Sequence, residues 1–172
     1  NKIKFYSDSL EEVDWVIGCA MLINLEKFET RKLFDENIFL YFDEFDLCRR
    51  VKVNQGNIYS SKNLIVKHLG KKGSADSKYP LEFEMLRNWH WMWSTFYYHR
   101  KHYSYLYAVY KTYGKLFRSI FNTLLFIILF NKKKRNVYYA RALGIINGML
   151  GKKSWYRIES LFSDQESQLN FE

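Results

Sequence analysis

Three carboxylates, Asp43, Glu44 and Asp46, stand close together in FLYFDEFDLCRRV (39–51), after an aromatic run and before the pair Arg49-Arg50. An ionised carboxylate that reaches a substrate hydroxyl within hydrogen-bond distance can take its proton as a general base. Acids in the first turn of a helix also serve as caps and face the positive end of its dipole, so the cluster by itself leaves both roles open. Glycosidase chemistry is excluded. It needs two carboxyl groups flanking a sugar, about 5 to 9.5 Å apart, and neighbours in sequence do not straddle a ring.

His68 lies between the strand-like LIVK and the loop GKKGS. Its imidazole would suit Mn²⁺ or a phosphate oxygen, while the plainer role is a surface or packing residue. Lys71 and Lys72, with the amides around Gly70, Gly73 and Ser74, could form an anion-binding lid or simply a solvated turn. His90, His99 and His102 lack the HExxH spacing and are not expected as ligands. Cys19 and Cys48 are the only cysteines. They are too far apart for a CxxC motif, and a reduced, cytosolic compartment is expected.

The elements that would position these residues alternate. The β-branched and aromatic content of Trp15 to Ile23 predicts a strand whose small residues Gly18, Cys19 and Ala20 leave room for a close neighbour. Phe34 to Asn37 reads as a turn, followed by a short buried strand up to Phe42. At Asp43 the apolar period changes to that of a helix, with Asp43 as N-cap, Asp46 completing a capping-box-like pair and Gly56 as the stop. A strand over 57–68 follows. After Pro80 three helices are predicted, over about 80–112, 115–131 and 134–150, with breaks at Gly114 and NKKKRN and with Gly151 closing the last. Strand, strand, helix, strand is an α/β order.

The 172 residues carry a net charge of +9, and no Asp or Glu occurs between Met85 and Ile158. That half should seek an anionic surface, whether phospholipid headgroups, nucleic acid or a diphosphate. No RNA- or DNA-binding motif accompanies the charge, so nucleic acid is not expected. The run IFNTLLFIILF (120–130) is interrupted by Asn122 and falls short of the roughly 20 residues that span a bilayer. Flanked by basic residues, it fits either an interfacial helix on anionic lipid or a core helix with a solvated basic end. The aromatic segment from Arg87 to Tyr110 can likewise be core or a platform for sugar or lipid. No secretory leader is expected from the residues after Asn1, the chain is expected to be compact nearly throughout, and a frayed polar tail is predicted from about Asp164.

VDWVIGCAMLI, FDENIFLYFDEFDLCRRV, VKHLGKKGS and YARALGIINGMLGKKS, in this order, resemble the second half of a family 2 glycosyltransferase of the GT-A fold, of the rhamnosyltransferase-like kind that builds bacterial surface polysaccharides. The likeness runs from about Val13 to Ser154. It implies that Trp15, Gly18, Cys19, Ala20 and Met21, in the pattern Trp-x-x-Gly-x-x-Met, belong to an acceptor floor together with Asp46. The family phrase has Glu-Asp-x-Asp where this chain has Asp43-Glu44-Phe45-Asp46, so the two acids are exchanged. By position the base is Glu44, with Asp43 next in line. His68 matches the place of a metal or diphosphate contact, and Lys71 and Lys72 beside it are candidates for the same diphosphate.

The resemblance further implies an inverting transfer of a sugar from a nucleotide-sugar donor to a hydroxyl of a glycan or lipid-linked acceptor. A divalent cation, Mg or Mn, would be held mainly by an N-terminal half that the chain lacks, since no Asp-x-Asp is present, and the fragment alone should not turn over. The expected fold class is α/β: a partial GT-A sheet over 1–78, a basic aromatic helical extension over 79–155 and a polar tail over 156–172. The expected location is cytoplasmic, peripheral on the inner face of the membrane, with anionic lipid as a partner and a homo-oligomer an open option. The rival is a non-catalytic module that binds membrane or mediates oligomerisation.

Overall fold

The computed structural model describes residues 10–28, 33–68 and 79–157. They form a mixed but mostly helical fold: strand β1 (Leu10–Glu12), helix α1 (Asp43–Val53), strand β2 (Tyr59–Ser61), and helices α2 (Pro80–His102), α3 (Tyr105–Ile128) and α4 (Lys132–Met149). The chain divides into two compact units. One comprises Asn1–Ile38 and Phe42–Gly70, the other Phe39–Tyr41 and Lys71–Glu172.

In the first unit β1 and β2 pair antiparallel, with Glu11 opposite Ser60. Ion pairs Lys52–Glu12 (2.7 Å) and Lys62–Glu11 (3.1 Å) decorate the ribbon. Such exposed pairs are worth at most about 1 kcal/mol each. The strands expected over 15–23 and up to Phe42 do not form, and of 57–68 only Tyr59–Ser61 is strand. The physical reason is that a strand exists only where a ladder partner takes its amides and carbonyls, and the described residues supply one pairing. A partial GT-A sheet is therefore not what the described residues build. α1 does form, with Leu47 and Cys48 buried on its inner side. Asp43 is not its N-cap. Phe42 holds that place in the left-handed region (φ 68°), and Asp43 is the first helical residue. At the other end Gln55 (φ 59°), not Gly56, adopts the left-handed turn.

In the second unit α2, α3 and α4 pack on one another. The buried face of α2 is Trp89, Met92, Trp93 and Phe96, and α4 meets it with Ala140, Gly144 and Gly148, spaced one turn apart. A Cβ on Gly144 would collide with the carbonyl oxygen of Trp89, and one on Gly148 would stand 3.0 Å from the Phe96 ring. The two helices touch at backbone distance because α4 has no side chains there. α3 contributes Ala108, Thr112 and Ser119. Both hydroxyls donate to carbonyls one turn back, at 2.7 Å, which satisfies these two groups inside the helix.

The helical boundaries differ from the sequence reading at both breaks. α2 ends at His102, and Ser104, extended, accepts the Tyr107 amide on its Oγ at 3.1 Å to cap α3. Gly114 lies inside α3 with open space beside it. The α3–α4 turn lies at 129–131, just ahead of most of the expected break, since KKKRN belongs to α4; Phe130 has φ 53° and Asn131 caps α4 through the Lys134 amide. The segment after α4 returns to α2: Trp93 donates its indole N–H to the Lys152 carbonyl (2.9 Å) and His90 lies between Tyr156 O and Ser154 Oγ. The aromatic segment thus splits, with Trp89 and Trp93 in the core and Trp91, Tyr103 and Tyr105 exposed.

Candidate functional site

The carboxylate cluster occupies the first turn of α1, and the turn that leads into it is unusual. Tyr41 and Phe42 both have positive φ (65° and 68°), a conformation that costs non-glycine residues about 1–3 kcal/mol each and concentrates at functional positions. The first helical bond runs from the Asp46 amide to the Phe42 carbonyl at 2.9 Å. The amides of Asp43, Glu44 and Phe45 precede it, so the positive end of the helix lies among these acids.

Glu44 does not project freely. A Cβ on Gly18 would stand 3.5 Å from Glu44 Cβ and 3.8 Å from its Cδ, so the side chain lies along the Gly18 backbone. Trp15 stacks on Phe45 at 4.6 Å between ring centroids, and Phe45 meets Phe42 at 5.4 Å. The segment carrying Trp15 and Gly18 is thereby held against the first turn of α1 although it is not a strand. Partial burial pushes the Glu44 carboxyl up to about 7, and a hydrogen bond and like charge from Asp43 add to the rise, against an opposing backbone hydrogen bond. A carboxyl that exchanges its proton near neutrality is suited to general base chemistry.

Asp46 has a different place. It is wholly buried and receives Arg50 Nε at 2.8 Å, one turn on, while the same guanidinium donates to the Leu33 carbonyl. It braces the turn and, with no exposed surface, offers no oxygen to an acceptor, contrary to its grouping with the acceptor floor. The i, i+4 spacing of Asp46 and Arg50 was a signal for this pair in the sequence. Cys19 and Ala20 are exposed and Met21 half-buried beside Gly18. His68 is exposed, and Lys71 and Lys72 lie outside the described residues. Among the described residues no three His, Cys, Asp or Glu side chains are placed to share a metal ion. The residues present do not by themselves fit the divalent cation that the resemblance implies, and no step is routed through one.

The ring contacts of Phe42 and Phe45 were not anticipated from sequence, where these residues read only as apolar periodicity. No protein-family model, no curated protein and no solved structure matches the chain.

Proposed function

We propose that this chain is the acceptor-side portion of an inverting glycosyltransferase of the GT-A, family 2 kind, in which Glu44 is the general base. Glu44 takes the proton from an acceptor hydroxyl, whose oxygen attacks the anomeric carbon of a nucleotide-activated sugar as the C–O bond to the diphosphate breaks. The sugar inverts, the nucleoside diphosphate leaves with the bonding pair, and Glu44 carries the proton away. The observation that supports this reading is the Glu44 side chain laid against Gly18 with its proton affinity raised to about 7. Asp43 tunes that affinity, Gly18 and Trp15 form the floor, and Asp46 with Arg50 braces the turn.

A second observation favours a role within a larger catalytic domain. Ile17, Leu22, Leu64, Ile65 and Val66 of the first unit stand exposed, the kind of apolar surface that an adjoining layer covers. The donor-binding elements and the divalent cation belong, in this reading, to that layer, and the location is cytoplasmic and peripheral.

The test is Glu44→Gln in the natural polypeptide that carries this chain, assayed for transfer from nucleotide sugars. A base predicts loss of kcat by about 10²–10⁴-fold with donor binding retained. Normal turnover with only a lowered melting temperature would leave the acids as structural and favour the non-catalytic module.

A further inference from the structure

The face of α3 turned away from the bundle is apolar along its whole length. Leu106, Tyr110, Tyr113, Phe117, Leu124 and Ile127 are all exposed and recur at steps of three, four or seven residues. Phe121, Ile128 and Leu129 widen the stripe, and Phe130, 92% exposed, crowns it at the turn into α4. None of the described helices is long and apolar enough to cross a membrane. We propose that this face and the α3–α4 turn form a docking surface for an anionic phospholipid bilayer, with the Ile127 to Phe130 tip entering the acyl boundary.

Charge selects this occupant over a second copy of the chain. α3 and α4 contain no carboxylate, Lys111 and Arg118 lie on the exposed flank of α3, and Lys132, Lys133 and Lys134 stand exposed at the end of the stripe. Two copies meeting through α3 would set like charges against each other with no acid to answer them. Beside the tip, Lys133 pairs with Glu84 of α2 at 3.5 Å across solvent, while the lysines occupy the first turn of α4, where the helix dipole already makes the field positive. Lipid phosphates would relieve that repulsion.

The chemistry along the stripe is graded in the same sense. Tyr110 and Tyr113 stand in its N-terminal half, where rings with a polar edge suit headgroup depth, and aliphatic residues with Phe130 populate the tip. Lys134 lies over the Phe126 ring at 5.2 Å, and its amine stays at the margin of the apolar surface. The inference is independent of the transfer chemistry at Glu44.

Sedimentation of the full chain with vesicles tests it, using phosphatidylcholine alone and mixed with phosphatidylglycerol, at low and high salt. The mixed vesicles should bind the protein at low salt and release it as salt rises, and neutral vesicles should bind it far less. Phe130→Asp, whose side chain is almost fully exposed, should lower the partition coefficient at least about tenfold. Lys132→Ala, Lys133→Ala and Lys134→Ala should each lower it about fivefold. Circular dichroism identical to the parent keeps loss of fold out of these comparisons. Absence of binding to anionic vesicles at low salt overturns the proposal, as does binding that Phe130→Asp leaves unchanged. So does a dimer by light scattering that Leu124→Asp dissolves while vesicles bind nothing, which would assign the face to a second copy.

Discussion

Asp43 beside Glu44 helps to hold the proton on the Glu44 carboxyl, and that influence has a pH signature. Removing the Asp43 charge, and offering an amide N–H that can donate to an ionised carboxylate, should let Glu44 ionise more readily, so Asp43→Asn is expected to move the lower limb of the pH–rate profile below its midpoint near 7. A midpoint that stays near 7 in the variant would mean that Asp43 does not tune the base. His90 has the opposite chemistry. Burial holds its imidazole down to about 4, against a Tyr156 carbonyl contact that favours the proton and with Arg157 opposing it. Below pH 6.5 the unfolded chain takes up a proton that the native ring refuses, so stability should fall between about 6.5 and 4, by about 3 kcal/mol in full. Urea titrations at pH 7 and pH 4.5 check it, and His90→Gln should flatten the difference. Glu44 acts in reverse: its native carboxyl binds the proton more tightly than the unfolded one, so its contribution is present below about 4.5 and is lost as pH rises through 7. At this scale the sequence singled out the acids together with Trp15 and Gly18, and the fold sets Gly18 against Glu44 and Trp15 against Phe45. It was silent on the His90–Ser154 contact, because partners 64 residues apart leave no local pattern.

At the level of elements, helices were readable and strands were not, for a physical reason. A helix closes its hydrogen bonds within its own sequence, so α1 and α4 could be placed from period and stop signals. A strand needs a partner elsewhere, and LIVK or WVIGC carries strand propensity without specifying one. Gly114 misled because glycine weakens a helix by only about 1 kcal/mol against alanine, which tertiary packing overrides, whereas Ser104 supplied an actual cap. The close approach of α4 to α2 yields a sharp expectation. Gly144→Ala should destabilise the helical unit by about 2–3 kcal/mol, because the new methyl meets the Trp89 carbonyl rather than a movable side chain. The same change at Gly114, which faces open space, should be neutral or slightly stabilising. Thermal denaturation of the two variants compares them directly.

At the scale of the whole molecule, the two units differ in what holds them. The first buries Ile38, Asp46, Leu47 and Cys48 among its described residues, and the second buries two tryptophans, Met92, Phe96 and Ile145 between long helices. Apolar area removed from water sets the scale of stability, so the first unit should open more readily. Hydrogen exchange checks this: amides of α1 are expected to exchange faster than those in the middle of α2 and α4, and equal protection would show one cooperative body. Charge was the best-predicted property at this scale, since it depends on composition alone. The absence of acids between Met85 and Ile158 shows through unchanged as a wholly basic set of ionisable groups on α3 and α4, histidine and tyrosine aside. The division into units was less legible, because residues Phe39 to Tyr41 belong with α2 through contacts such as Ser94 Oγ to the Leu40 carbonyl (2.9 Å).

The exposed thiol next to Gly18 gives the first unit a built-in handle. Cys48 is buried within α1, so a maleimide dye added to the folded protein should attach at Cys19 alone. A fluorophore anchored there would stand one residue from the backbone on which Glu44 rests. It would report changes at that turn without any engineered cysteine.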